Sequence, residues 1–229
     1  MSRRTTLTLA LAAGALVTGG VTVLPIASAA DTPRPRLVAD LDTVNNSGVT
    51  GTASVYSTDR MALNGVRLQA EGLSPEGPHA VHIHYGAQAA HECPTFRQDA
   101  DKNFRLNVAE GVPQYGPVAV SLTTSGDTSP ASGLALDRMP VAEDGTITYR
   151  RTRLPVSDVT DVDGKVLKAR DVTSAIRRGE GVVVVHGLDH NPDGAYGASH
   201  AGASELDPSG AIPAEATDPV ACGALHVHR

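Results

Sequence analysis

The sequence predicts an all-β fold, an antiparallel β-sandwich or barrel of about eight strands with long loops. Short runs of β-forming residues recur along the chain, and 23 Gly and 15 Pro supply the turns between them. Tryptophan is absent, so the core has to be built mainly from Val, Leu, Ala and Ile. A length of 229 residues is long for one small domain and short for two, which favours a single domain.

The first thirty residues have the layout of an export signal. Two arginines precede an apolar run, and the small residues that follow suit cleavage near Ala29 or Ala30. An uncleaved membrane anchor is the alternative because the run approaches spanning length. The arginine pair also partly resembles a twin-arginine signal, which leaves the export route open. We expect residues 1–30 to be a signal peptide and residues 31–229 to act outside the cytoplasm.

The net charge of the chain narrows the class of partner, and its two cysteines suggest a disulfide. Of the 19 Lys and Arg residues, two lie in the leader, which leaves 17 basic against 25 acidic side chains and a formal charge of −8. Nucleic acid is therefore not an expected partner. The two cysteines, Cys93 and Cys222, make the simplest disulfide framework, because an oxidising compartment favours the bond and no third thiol competes.

The strand pattern is regular in the first and last parts of the domain and loose between them. Four strands are predicted within residues 36–44, 49–57, 65–73 and 79–86. A fifth, within 117–126, interrupts Gly- and Pro-rich sequence, and the pattern resumes at 145–154, 181–188 and 220–228. Residues 166–181 suit a short helix or a strand equally.

The stretch GPHAVHIHYG holds three of the nine histidines. Because successive side chains of a strand point to opposite faces, His82 and His84 share a face while Ile83 is buried on the other. Imidazoles suit copper and zinc, and a site needs at least a third ligand. His186, which ends the run VVVVH, is the best candidate. Exposed histidines on a polar face would give the same pattern, so spacing alone leaves both interpretations open.

Four motifs in one order resemble those of the copper–zinc superoxide dismutases. GLSPEGPHAVHIHYG is similar to the family's strand with a structural histidine and His-x-His, and its first cysteine follows at the family's spacing. GEGVVVVHGLDHN resembles the later copper-ligand strand, and VACGAL resembles the segment with the second disulfide cysteine. Order and spacing match from about residue 37 to 93 and from about 142 to 225.

The resemblance implies a Greek-key fold with copper bound by His82, His84 and His186, and a bond between the two cysteines. His79 matches a family histidine that braces loops from the opposite side of the strand. The implied function is copper-dependent dismutation of the superoxide anion to oxygen and hydrogen peroxide outside the cytoplasm.

The sequence departs from the family pattern in two places. No histidine occurs from Pro94 to Val185, where the family has its bridging and zinc-binding histidines, so zinc is not expected. Pro219 stands where the family has an arginine that attracts superoxide, and steering depends on the field near the site. A non-catalytic exported copper-binding module is therefore the alternative, and a sandwich used only for protein contacts is the third option.

Two groups of charged residues could assist the site. Arg97, Lys102 and Arg105 could attract superoxide in place of the missing arginine, although ordinary solvated loop charges are the favoured interpretation. Asp189, three residues after His186, could orient that imidazole through its second nitrogen.

The other histidines are interpreted without a metal. His91, His190 and His200 lie in loop-like sequence and are expected at the surface. His226 and His228 repeat the His-x-His pattern at the C-terminus, where a frayed end is favoured over a weak metal site. The sequence does not set the oligomeric state, and a homodimer stays open.

Overall fold

The computed structural model describes residues 37–74 and 77–228, so the predicted signal peptide at 1–30 lies outside the described residues. The strands are β1 Leu37–Thr43, β2 Thr50–Tyr56, β3 Ala62–Glu71, β4 Val81–His84, β5 Val118–Ser121, β6 Thr146–Pro155, β7 Val159–Thr160, β8 Val166–Leu167, β9 Val182–His186, β10 Pro219–Ala224 and β11 His226–Val227. The helices are α1 Val108–Tyr115 and α2 Ala169–Arg178, with 3-10 turns at Pro130–Ser132, Leu136–Arg138 and Ala214–Ala216.

Eight strands form a nearly closed antiparallel barrel in the order β5-β4-β9-β10-β1-β2-β3-β6. Strand β11 adds to β1, and β7 and β8 form a separate pair. The predicted all-β antiparallel fold is therefore confirmed. Within the described residues, neither helix has the length and apolar character that a membrane crossing requires.

Side-chain alternation decides which residues enter the core. In β1, Leu37, Ala39 and Leu41 are buried, and Asp40 between them is exposed. Strand β9 is buried on both faces, with Val183 and Val185 in the large core cluster. Its other face joins a smaller cluster outside the barrel, under the long loops.

The two helices differ from the sequence-based expectation in different ways. Helix α1 falls where only loose loop sequence was predicted, because Gly111 and Pro113 made the segment look like a turn. It begins at a capping box in which the Asn107 side chain accepts from the Glu110 amide and the Glu110 carboxylate accepts from the Asn107 amide. Residues 166–181, which suited a helix or a strand equally in the sequence, contain helix α2.

Candidate metal centre

Neighbouring strands β4 and β9 bring the three predicted ligands together. His82 pairs with Val184 and His84 with Val182, so His186 at the end of β9 lies diagonally from His82. Ile83 belongs to the large core, as the alternation predicts, and the histidines lie on the other face of β4. The imidazoles are buried rather than exposed on a polar face, with only 1 to 4% of each residue accessible.

The rings form a compact triangle. Their centroids are 5.0 Å apart for His82 and His186, 5.4 Å for His82 and His84, and 5.8 Å for His84 and His186. One nitrogen of each ring lies within 4.8 Å of the corresponding nitrogen of the other two. Three donor atoms are therefore close enough to share one ion.

Each ring is held by a hydrogen bond from its other nitrogen to a main-chain carbonyl. The bonds are His82 Nε2 to Gly133 O at 3.0 Å, His84 Nδ1 to Gly116 O at 2.8 Å and His186 Nδ1 to Thr217 O at 2.6 Å. Because a carbonyl oxygen only accepts, the bonded nitrogen carries the hydrogen and a neutral ring keeps a lone pair on the other. Fixing the tautomer in this way is typical of metal-ligating histidines.

The nitrogens that face one another are His82 Nδ1, His84 Nε2 and His186 Nε2. They are buried and have no hydrogen-bond partner in the described part of the chain. Leaving a buried polar atom unsatisfied costs about 1–3 kcal/mol, and here three such atoms converge on one point. A metal ion at that point would satisfy all three lone pairs, so these residues fit a metal.

The local electrostatics keep the rings neutral. Burial lowers the pKa of His84 to about 3, with the charge of His186 acting in the same direction. Burial also lowers the pKa of His186 to about 4 and that of His82 well below its usual value. Hydrogen bonds to the carbonyls oppose these shifts but are outweighed. Neutral imidazole is the form that ligates metals, so the site is ready to bind at neutral pH.

The turn after α1 supplies both a carbonyl and a ring to His84. Gly116 has φ of 88°, and a Cβ there would lie 2.5 Å from Gly86 N, so only glycine fits the turn that directs its carbonyl to His84. The Tyr115 ring packs 4.5 Å from the His84 ring, and its hydroxyl donates to Val108 O at 3.2 Å. Sequence reasoning missed Tyr115, since nothing in the motif pointed to α1.

His79, two residues before β4, is fully buried. Its Nδ1 is 2.8 Å from the His186 carbonyl oxygen and 3.0 Å from the Tyr196 hydroxyl, while its amide donates to Pro140 O. The side chain thereby links the end of β9 to the loop that follows it.

The position of Asp189, three residues after His186, predicted that its carboxylate orients the imidazole. In the structure, Asp189 does not contact the His186 ring. Its carboxylate accepts from the amides of Asn191 and Gly194 within its own loop. The Thr217 carbonyl holds His186 instead, because β10 begins beside the end of β9.

Arg105 and His190 converge on a buried carboxylate that sequence reasoning missed. The Arg105 guanidinium lies 3.0 Å from Asp218 Oδ2, and His190 Nε2 lies 2.8 Å from the same oxygen. Asp218 is inaccessible, and burial raises its pKa against the opposing effect of His190 and Arg105. Arg105 is thus neither a solvated loop charge nor a free group that could attract superoxide. His190, which was expected at the surface, is half-buried.

The remaining predicted residues are spread over the surface. Arg97, Lys102 and His200 are exposed, as expected for solvated loop residues. His91 is half-buried, stacks on Tyr85 and donates to the Gly86 carbonyl, so the surface interpretation was only partly right.

Of the two C-terminal histidines, His226 does not lie on a frayed end, and His228 follows the last strand. His226 belongs to β11, which pairs with β1, and both His226 and His228 are exposed.

The disulfide is confirmed. Cys93 and Cys222 are bonded, with Cα atoms 5.7 Å apart and 129 residues between them in sequence. Cys222 packs with Val184 and Tyr115 in the smaller cluster, so the bond fixes the loop after β4 beside the strands that carry the histidines.

One further group of potential ligands occurs in the described residues, formed by Asp99, Asp101 and Glu110. Their oxygens accept from amides of the same loop, such as those of Ala100, Asn103 and Phe104. A set of carboxylates alone does not suit zinc, which prefers nitrogen and sulfur ligands in structural sites.

No protein-family model matches this chain, and no curated protein matches it. The family resemblance therefore depends on the motifs themselves and on the site that they form.

Proposed function

We propose that this chain is an exported copper protein that dismutates superoxide to oxygen and hydrogen peroxide. The observation that carries the proposal is the triangle of buried imidazole nitrogens, three lone pairs within 4.8 Å with no partner in the described chain. This arrangement agrees with the ligand set that the resemblance to copper–zinc superoxide dismutases implies. The disulfide is consistent with a protein that acts outside the cytoplasm.

Copper is the metal that the donor set favours most. Three neutral imidazoles suit copper or zinc, and the order of divalent affinities places copper above zinc at a given nitrogen site. Carbonyl-bonded histidines resist protonation down to acidic pH because burial lowers the pKa of each ring. The chain thus holds three donors in the deprotonated form without needing a carboxylate.

The residues of the chain would hold the three imidazole rings in place and shield them, and they would not transfer protons. Bound copper would supply the one-electron chemistry by which one superoxide is oxidised to oxygen and another, with two protons, is reduced to hydrogen peroxide. Gly116, Gly133 and Thr217 keep the rings in place through their carbonyls. Tyr115 covers one side of His84. With no fourth histidine in the group, protons would have to come from water.

Two observations favour the second candidate, a non-catalytic copper-binding module of the same fold. Within the described residues, no fourth His, Cys, Asp or Glu joins the triangle. The Arg105 guanidinium is already paired with Asp218, so it cannot serve as a free anion attractor. A dismutase built this way would be slower than the near-diffusion-limited behaviour of the family that it resembles.

Pulse radiolysis of copper-loaded protein separates the two functions. Wild-type protein should remove superoxide faster than His82→Ala loaded with the same copper, since His82 supplies one of the three donors. His200→Ala, a change at an exposed histidine, is the matched control and should keep the wild-type rate. If wild type exceeds His82→Ala by no more than free copper explains, the protein is a copper-binding module.

A further inference from the structure

The outer face of the barrel carries two arginines directly opposite each other. Arg67 in β3 and Arg150 in β6 are Cα partners in the antiparallel register, and both are exposed. Side chains in such a pair have Cβ atoms about 4.5–5.5 Å apart, and like charges placed this way destabilise a sheet. An anion bound to both guanidiniums would relieve this repulsion.

Neither arginine of the pair has an ion-pair partner in the described part of the protein. Neither guanidinium donates a hydrogen bond or forms an ion pair there, whereas the neighbouring Arg151 donates to Thr123. The residues beside the pair on the same face are uncharged hydrogen-bonding groups. Ser54 is the other cross-strand neighbour of Arg67, and Gln69 and Thr148 form the next pair along β3 and β6.

These residues line a shallow concavity of about 700 Å³ on the outside of the barrel. Its described lining includes two arginines and one carboxylate, that of Asp40, and two histidines, His226 and His228, that count as neutral at pH 7. The whole chain has a formal charge of −6, so a positive surface of this kind runs against the overall balance. Charge complementarity at this face favours an anion.

We propose that this concavity binds a linear phosphate polyanion of the polyphosphate type. Each guanidinium presents a planar fork that matches phosphate oxygens, and two adjacent forks can each hold one phosphate of a chain. The hydroxyls of Ser54 and Thr148 and the amide of Gln69 are further donors of the kind that contact phosphates. A nucleic acid is disfavoured by the net acidic charge of the chain, and Tyr149, the one Phe, Tyr or Trp side chain of the lining, is buried and offers no surface for base stacking.

Isothermal titration of the full protein with sodium tripolyphosphate at low salt tests the proposal. Wild-type protein should bind, and Arg67→Gln and Arg150→Gln should each weaken binding roughly tenfold or more, since each loses charge-assisted hydrogen bonds. Arg170→Gln is the matched control, because Arg170 is an exposed arginine of α2 whose one ion pair is with its neighbour Asp171. Affinity should fall as salt is raised.

Thermal unfolding without ligand gives an independent readout. Replacing either arginine removes the cross-strand repulsion, so Arg67→Gln and Arg150→Gln should raise Tm by about 1 to 3 °C. The proposal is overturned if wild-type protein does not bind tripolyphosphate, or if Arg67→Gln, Arg150→Gln and Arg170→Gln all bind it as tightly as wild type. Polyglutamate that binds as well as tripolyphosphate would also overturn the assignment to phosphate.

Discussion

In each of the three site histidines, the two ring nitrogens have different surroundings. One nitrogen is bonded to a carbonyl, and the other faces the two remaining rings. The alternation of β4 was enough to predict that His82 and His84 share a face. The carbonyls of Gly116, Gly133 and Thr217 could not be predicted, because which carbonyl meets a distant ring depends on the tertiary packing of loops far apart in the sequence.

Burial of neutral histidines predicts acid sensitivity of the metal-free protein. An unfolded histidine takes up a proton near pH 6.5, whereas His84 and His186 stay neutral in the folded protein until about pH 3 and 4. Below about pH 6.5 the unfolded state therefore binds more protons, and the free energy of unfolding falls by up to about 1.4 kcal/mol per pH unit for each histidine. The loss should continue to about pH 4.

Urea unfolding of metal-free protein between pH 4.5 and 8 measures this slope. His186→Gln removes one of the buried titrating rings, so its free energy of unfolding should fall less steeply with decreasing pH than that of the wild type. His200→Gln, a change at an exposed histidine, should keep the wild-type slope. Equal slopes for all three proteins would show that the buried rings are not the source of the acid sensitivity.

At the level of elements, the disulfide and the loops around it hold the strands that carry the site. Closing a loop of 129 residues is worth about 4–5 kcal/mol on the chain-entropy model. We predict that non-reducing peptide mapping of the exported protein shows one linked pair and no free thiol, and that reduction lowers Tm. Two free thiols in protein recovered from outside the cytoplasm would contradict the pairing.

The strands were more predictable than the helices because period-two alternation is a strong local signal. The strands of the barrel overlap the predicted stretches, although β3 begins three residues early at Ala62 and β6 and β10 each extend one residue beyond theirs. Helix α1 was missed although Asn107 and Glu110 have the spacing of a capping box, because Gly111 and Pro113 masked the helical pattern. Long-range partners such as Arg105 and Asp218, 113 residues apart, leave no local pattern at all.

At the scale of the whole molecule, net charge should govern how the protein meets an anionic substrate. Residues 31–229, which would remain after cleavage of the predicted signal peptide, carry a formal charge of −8, and the candidate arginine Arg105 is paired with Asp218. Under the proposed function, superoxide would therefore be repelled weakly at long range rather than steered. Screening acts over about 10 Å at 0.1 M salt, so raising ionic strength should leave the dismutation rate unchanged or increase it.

Rates of superoxide removal measured from 10 to 300 mM salt check this prediction. A rate that falls steeply with salt would contradict it, because such a fall would require an attracting positive field near the site. Lys102→Gln, which removes an exposed loop charge, should change the salt dependence little.

The most direct test of the proposed three-histidine copper site is metal analysis of protein incubated with one equivalent of copper and one equivalent of zinc. We predict one tightly bound copper per chain and no stoichiometric zinc in wild type. His186→Ala, with its disulfide and circular dichroism spectrum checked for folding, should lose most of the copper, whereas His228→Ala should retain it. Stoichiometric zinc beside copper, or copper retained by His186→Ala and lost from His228→Ala, would contradict the site described here.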